Sequence, residues 1–208
     1  LWTHFIKQSD PHTLSAQTLL DNEEGVAFGV SDGTVQMYRF SLNGKRVTKQ
    51  PVSDCALDSI SAAVTTASGD IVIAGEHADF LDLIGSMCRI SVDGSTYWQT
   101  FAEAQAPSTI TDIAAIGDDV LGVGFHLAEN GNEQALAIRF DPQGQKSWEK
   151  SLGAHASERL LALNILSDNR ILVLGSIMDP KTLTSRHWIV ALSESGEVVE
   201  SQIGDAQE

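Results

Sequence analysis

Glycines recur along this chain in two interleaved series. Gly44, Gly94, Gly144 and Gly196 each close a similar phrase: YRFSLNGK, CRISVDGS, IRFDPQGQ and VALSESGE. Gly29, Gly75, Gly124 and Gly175 end a second phrase: GVAFG, DIVIAG, DVLGVG and RILVLG. Two landmarks in one order, spaced about 50 residues apart, define a fourfold repeat. Repeats of this length stack as copies of one supersecondary unit, so the unit sets the fold.

Other landmarks keep the same register. Trp98 and Trp148 stand four residues after a phrase glycine, and Trp2 opens the chain in a like context, WTHF beside WQTF. An apolar segment starts twelve residues beyond each Trp, at Leu14, Ile110 and Leu160. The remaining unit has Thr48 at the Trp position and Ile60 twelve residues on, so the register survives without the indole.

The unit from Ser108 to Leu152 divides into four short strands. TITDIAAI, DVLGVGF, ALAIRF and SWEKSL are separated by Gly117-Asp118-Asp119, by HLAENGNEQ and by DPQG. Gly, Asp and Pro in those connections are turn formers, and Asp-Gly or Asn-Gly recurs at Asp93-Gly94 and Asn43-Gly44. The second strand of each unit is almost wholly apolar, as befits a strand covered on both faces. Its closing glycine suits a close backbone approach. The Trp of the fourth strand is expected to pack between adjacent sheets. Four strands repeated at this period predict an all-β fold, a β-propeller or propeller segment with four visible four-stranded blades.

The predicted blades cover 14–50, 58–101, 108–152 and 158–203 of a single domain, and residues 1–7 read as an extra outer strand. The last unit already has a fourth strand, EVVESQI, so that extra strand does not simply close a ring. A segment of a larger propeller is therefore expected ahead of a closed four-bladed ring. The chain opens at Leu1 with no basic stretch leading into an apolar one, and reads as a processed or truncated product.

Composition narrows the partners. The net charge is −15, and the 13 Lys and Arg residues are scattered singly. Neutralising a phosphate backbone needs clustered cations, so no nucleic-acid partner is expected. No run approaches the ~20 apolar residues of a membrane helix, so no membrane insertion is expected. Cys55 and Cys88 are the two cysteines. Cys88 falls where other units carry Tyr38, Ile138 and Val190, and Cys55 falls in a connection. One disulfide or two buried thiols fit this pattern, and the thiols are favoured. No metal-ligand spacing, phosphate loop or nucleophile motif is visible, so neither metal nor cofactor is expected.

AIRFDPQGQKSWEKSLG, with Asp141, Gly144 and Trp148, resembles the repeats of bacterial secreted β-propellers, including the pyrroloquinoline-quinone-like group. Asp93, Gly94 and Trp98 match more loosely. The resemblance covers the whole chain as architecture and implies a periplasmic, cell-surface or secreted setting. It departs in lacking the Thr-Gly turn of the quinone-type repeat, so no ligand-binding residue carries over. SVDGSTYW resembles the Asp-box of sialidase-like propellers, with its glycine one residue early.

Candidate binding residues collect where second-to-third-strand loops meet the links between units. His77, Asp79, His126, Glu129, His155 and His187 are expected on that loop face, as a polar rim able to hold a small molecule or glycan. Phe80, Leu81, Leu83 and Ile84 fall in the long predicted loop EHADFLDLIG and are expected as a protein contact or a local plug. A rigid repeat with varied loops and no catalytic constellation points to a non-catalytic binding or scaffolding module with a protein partner. A carbohydrate-binding or carbohydrate-active propeller is the second expectation. A structural segment of a larger propeller is the third.

Overall fold

Among the described residues, sixteen strands form four antiparallel sheets, each built from four consecutive strands in chain order. The structure is a computed structural model that describes residues 14–20, 24–43, 47–79, 82–102, 107–153, 157–179, 182 and 184–204. The first sheet holds β1 (Leu14–Leu20), β2 (Glu24–Ser31), β3 (Thr34–Ser41) and β4 (Val47–Pro51). The second holds β5 (Ser59–Thr65), β6 (Ile71–Asp79), β7 (Asp82–Ile90) and β8 (Thr96–Phe101). The third holds β9 (Ser108–Ile116), β10 (Asp119–Leu127), β11 (Glu133–Phe140) and β12 (Lys146–Leu152). The fourth holds β13 (Ser157–Ile165), β14 (Ile171–Met178), β15 (Ser185–Leu192) and β16 (Val198–Ile203). The expected all-β, four-bladed fold is the one observed. The extra strand expected at 1–7 lies outside the described residues.

The first strands of successive sheets pack side by side, β1 on β5, β5 on β9 and β9 on β13. Among the described residues no extensive packing joins the fourth sheet to the first, so the sheets form an open arc. Three apolar layers fill the gaps. Phe28 and Met37 meet Ile71 and Ile73 between the first and second sheets. Val72 and Met87 meet Ile110 and Ile138 between the second and third. Leu121 and Val123 meet Ile171 and Val190 between the third and fourth. Alternate residues of β6 and β10 therefore face opposite neighbours, which is why residues 71–75 and 120–124 carry no polar side chain.

The glycine ending each apolar phrase has a steric cause. Gly29, Gly75, Gly124 and Gly175 pair with Leu14, Ile60, Ile110 and Leu160, each beside a bulge in the pairing. A Cβ on Gly75 would sit 1.8 Å from the Ser59 carbonyl oxygen, so no side chain fits. The bulged residues carry a linking role. Ser61 Oγ donates to Ile110 O at 2.6 Å, and Thr111 Oγ1 donates to Leu160 O at 2.8 Å, each reaching the next sheet.

A second link uses arginine. Arg39, Arg89 and Arg139 recur every 50 residues on β3, β7 and β11. Each pairs with a carboxylate of its own sheet, Glu24, Asp70 or Asp119. Each also donates to one carbonyl in the next sheet's third turn: Val92 O at 3.2 Å, Pro142 O at 3.4 Å and Glu194 O at 3.1 Å. Trp98 and Trp148 donate to the same Pro142 and Glu194 carbonyls at 3.0 and 3.2 Å. Gly144, at φ +79°, lies under the Trp98 ring, where both the left-handed backbone and the ring exclude a side chain. The fourth-strand Trp thus packs between sheets as expected.

The favoured pair of buried thiols is overturned, because Cys55 and Cys88 form a disulfide. Cys88 points into the layer between the first two sheets, where the connection carrying Cys55 passes. Periodicity marks Cys88 as apolar but gives no position for an irregular connection.

Arg89 is 5% exposed, Arg139 13% and Arg39 28%, so substitution by Met should cost most at Arg89, about 3 kcal/mol, and least at Arg39. Urea unfolding of the three variants checks the order. Reducing the disulfide frees a 33-residue separation and should cost about 4 kcal/mol, read as a lower melting temperature with reductant than without.

Candidate functional site

The rim residues sit on strand ends more than on loops. His77 and Asp79 close β6, His126 lies near the end of β10, and His187 lies near the start of β15. Leu83 and Ile84 belong to β7, pairing with Ala78 and His77, so the long loop expected around them is mostly a paired hairpin. The hairpin extends because ladder hydrogen bonds continue past the apolar run into polar residues. Glu129 occupies a turn. Phe80, Leu81 and His155 lie outside the described residues.

These side chains are dispersed over three sheets. His77 Nδ1 stands 3.5 Å from Asp58 Oδ2, and its ring tilts against Phe101 at 5.9 Å. Asp58 in turn accepts the Ala78 N–H at 2.8 Å. His126 Nε2 lies 3.1 Å from Ser151 Oγ. Among the described residues no three His, Cys, Asp or Glu side chains converge as a metal site would require.

The same rim carries a cluster that sequence reading missed. Glu133 on β11 takes both guanidinium contacts of Arg159 on β13, and Ser157 Oγ donates to it at 3.0 Å. The Arg159 guanidinium covers the Phe125 ring at 4.6 Å. The Arg159 hydrogen bonds hold the Glu133 carboxyl below the ordinary glutamate value, and they raise Arg159 in return. On the opposite rim the Ser68 backbone N–H lowers the Asp118 carboxyl, tying the second sheet to the third.

The largest departure lies on the outward face of the fourth sheet. Val72 and Ala74 on β6, and Leu121 and Val123 on β10, are fully buried by the sheet that follows. Their counterparts on β14, Leu172 and Leu174, are 38% and 44% exposed. Ile189, cross-strand from Leu174, and Leu161 are each 44% exposed. The linking groups are missing from this face too. Ala191 stands at the arginine position, Arg170 at the carboxylate position, Leu161 at the bulge hydroxyl and Glu200 at the Trp position. Arg170 instead pairs with Asp168 in its own turn at 2.8 Å. Those four substitutions were visible in the repeat register and are the signal that could have found the face.

No protein-family model matches the chain, and no curated protein matches it in sequence. Solved structures do match in fold. The chain is similar to an inactive virginiamycin B lyase from Staphylococcus aureus solved with quinupristin, at TM-score 0.51 and 10% identity, covering 94% of this chain and 71% of that one. It is similar to the tricorn protease at TM-score 0.56 and 13% identity, covering 96% of this chain and 22% of the protease. It is similar to YCF48 bound to D1 peptide at TM-score 0.50 and 12% identity, covering 98% of this chain and 70% of that one. The fold is that of a β-propeller segment. At such identities the likeness is one of fold alone.

A depressed Glu133 contributes stability above its unfolded pKa, and that contribution is lost as pH falls through the lower folded value. Glu133→Gln should therefore cost about 0.5–1 kcal/mol at pH 7 and nothing once the carboxyl is protonated. Urea unfolding of both forms, followed from neutral pH down through the acid range, checks this.

Proposed function

We propose that the chain is a binding and scaffolding propeller segment whose protein-binding surface is the outward face of the fourth sheet. The occupant that fits it is a second copy of the chain. One observation carries the reading: an aliphatic face, buried in the second and third sheets, is open in the fourth and has lost every group that directs docking of a following sheet.

The lost groups are directional. An arginine on one sheet reaches a turn carbonyl on the next, so the contact is head to tail. In a two-fold contact the same patch faces itself and no such turn lies opposite. An arginine and a hydroxyl there would be buried without acceptors, at a cost of about 1–3 kcal/mol each. Ala191 and Leu161 remove both groups, leaving Leu172, Leu174 and Ile189 to pack sheet on sheet, as the three internal layers already do.

The Cys55–Cys88 disulfide supports a periplasmic, cell-surface or secreted setting, where such bonds persist. The alliance with secreted bacterial propellers of the quinone-type group is proposed for repeat architecture alone.

Sedimentation velocity tests the surface. The wild type should self-associate as its concentration rises. The double variant Leu172→Glu, Leu174→Glu should stay monomeric with an unchanged circular dichroism spectrum, since both side chains are already part-exposed. A wild type that sediments as a monomer at every concentration overturns the homotypic contact and leaves the face to a further blade of a longer chain.

A further inference from the structure

The first sheet departs from its neighbours at a single slot. In the second and third sheets Trp98 and Trp148 stand cross-strand from Arg89 and Arg139. Each indole lies against the third-turn glycine of the next sheet: a Cβ on Gly144 would meet the Trp98 ring at 2.8 Å, and one on Gly196 would meet the Trp148 ring at 2.9 Å. Each donates its N–H to the turn carbonyl that also accepts from the arginine. In the first sheet Thr48 stands cross-strand from Arg39.

A cavity of about 270 Å³ opens there, lined by Glu24, Arg39, Phe40, Ser41, Thr48 and Gln50. The strand pairings put Glu24, Arg39, Ser41, Thr48 and Gln50 on one face, the face turned to the second sheet. The other parts of the slot are in place. Arg39 is paired with Glu24 and donates to Val92 O at 3.2 Å. Val92 is the counterpart of Pro142 and Glu194, and among the described residues its carbonyl accepts from Arg39 and from no indole. Gln50 takes over the turn glycine, its Nε2 donating to Asp93 O at 2.6 Å and lying 2.9 Å from where a Gly94 Cβ would be.

We propose that this cavity is a binding site for a planar bicyclic aromatic ring bearing an N–H donor, of the indole type. The ring occupies the part of the Trp98 and Trp148 volume that Gln50 leaves open, flanked by Arg39, with its N–H directed to the Val92 carbonyl. Glu24 neutralises Arg39, so the site favours a neutral ring over an anion. Both a free indole-type molecule and a tryptophan side chain of a partner share this chemistry. In the two neighbouring sheets an indole lies beside the equivalent arginine and donates to the equivalent turn carbonyl.

Titration of indole into the full chain, followed by ¹H–¹⁵N NMR, tests the site. Saturable shifts are expected at Arg39, Thr48 and Val92. N-methylindole, which cannot donate to Val92 O, should bind about fivefold more weakly. N-acetyltryptophanamide binding as well as indole assigns the site to a partner's side chain; indole binding alone assigns it to a free molecule. Thr48→Trp should fill the slot from within and reduce indole binding at least tenfold, and Thr48→Leu, a smaller change, should weaken it in the same direction. No saturable shift in the wild type overturns the proposal. So does equal binding of N-methylindole, or binding undiminished in both folded Thr48 variants.

Discussion

The arrangement depends on one repeated contact, in which an arginine on the third strand holds its own sheet's carboxylate and the next sheet's turn carbonyl at once. Arg89 makes this contact nearly buried, with Asp70 in its own sheet and with Asp118 and Pro142 in the next. A guanidinium in that position is costly unless most of its donors find acceptors. Satisfying it requires the turn to arrive in one place, so the apolar layers beneath can pack in only one register. The bulge hydroxyls of Ser61 and Thr111 repeat the constraint at the first strands. Apolar packing supplies the larger share of the stability, and these polar links decide which sheet positions can meet.

This division of labour explains how sheets one to three differ from sheet four. The sequence ILVLG on β14 is as apolar as IVIAG on β6, yet β14 alternates between buried and exposed residues while the first five residues of β6 are all buried. The apolar content is kept and the directing groups are gone. A surface of that kind lacks the polar contacts that set the head-to-tail packing inside the arc. The first sheet shows the complementary change. It keeps its arginine, carboxylate and turn carbonyl and has lost only the indole, which leaves a cavity and not an open face.

The repeat, the turns and the four-stranded unit were legible because they rest on local signals: glycines at forced close approaches, Asp-Gly turns and apolar second strands. The Trp packing followed from size and position. The arginine series was equally present at 39, 89 and 139, but a search for apolar landmarks passes over it. Polarity suggests a strand end before each histidine, whereas the ladder at His77 and His126 runs on beyond the apolar residues. The disulfide was not legible, since it depends on where an irregular connection crosses the layer between sheets. Leu172 and Leu174 could not be distinguished from Val72 and Ala74 by their own chemistry. Only the substitutions at 161, 170, 191 and 200 mark them.

Native-state hydrogen exchange, resolved by residue across the four sheets, tests most directly whether each sheet is held by the next through these links. Amides of β6 and β10, covered on both faces, should open with free energies close to that of global unfolding, and amides of β14 and β15 should open at clearly lower free energies. Equal protection in all four sheets under conditions where the chain is monomeric would contradict the account.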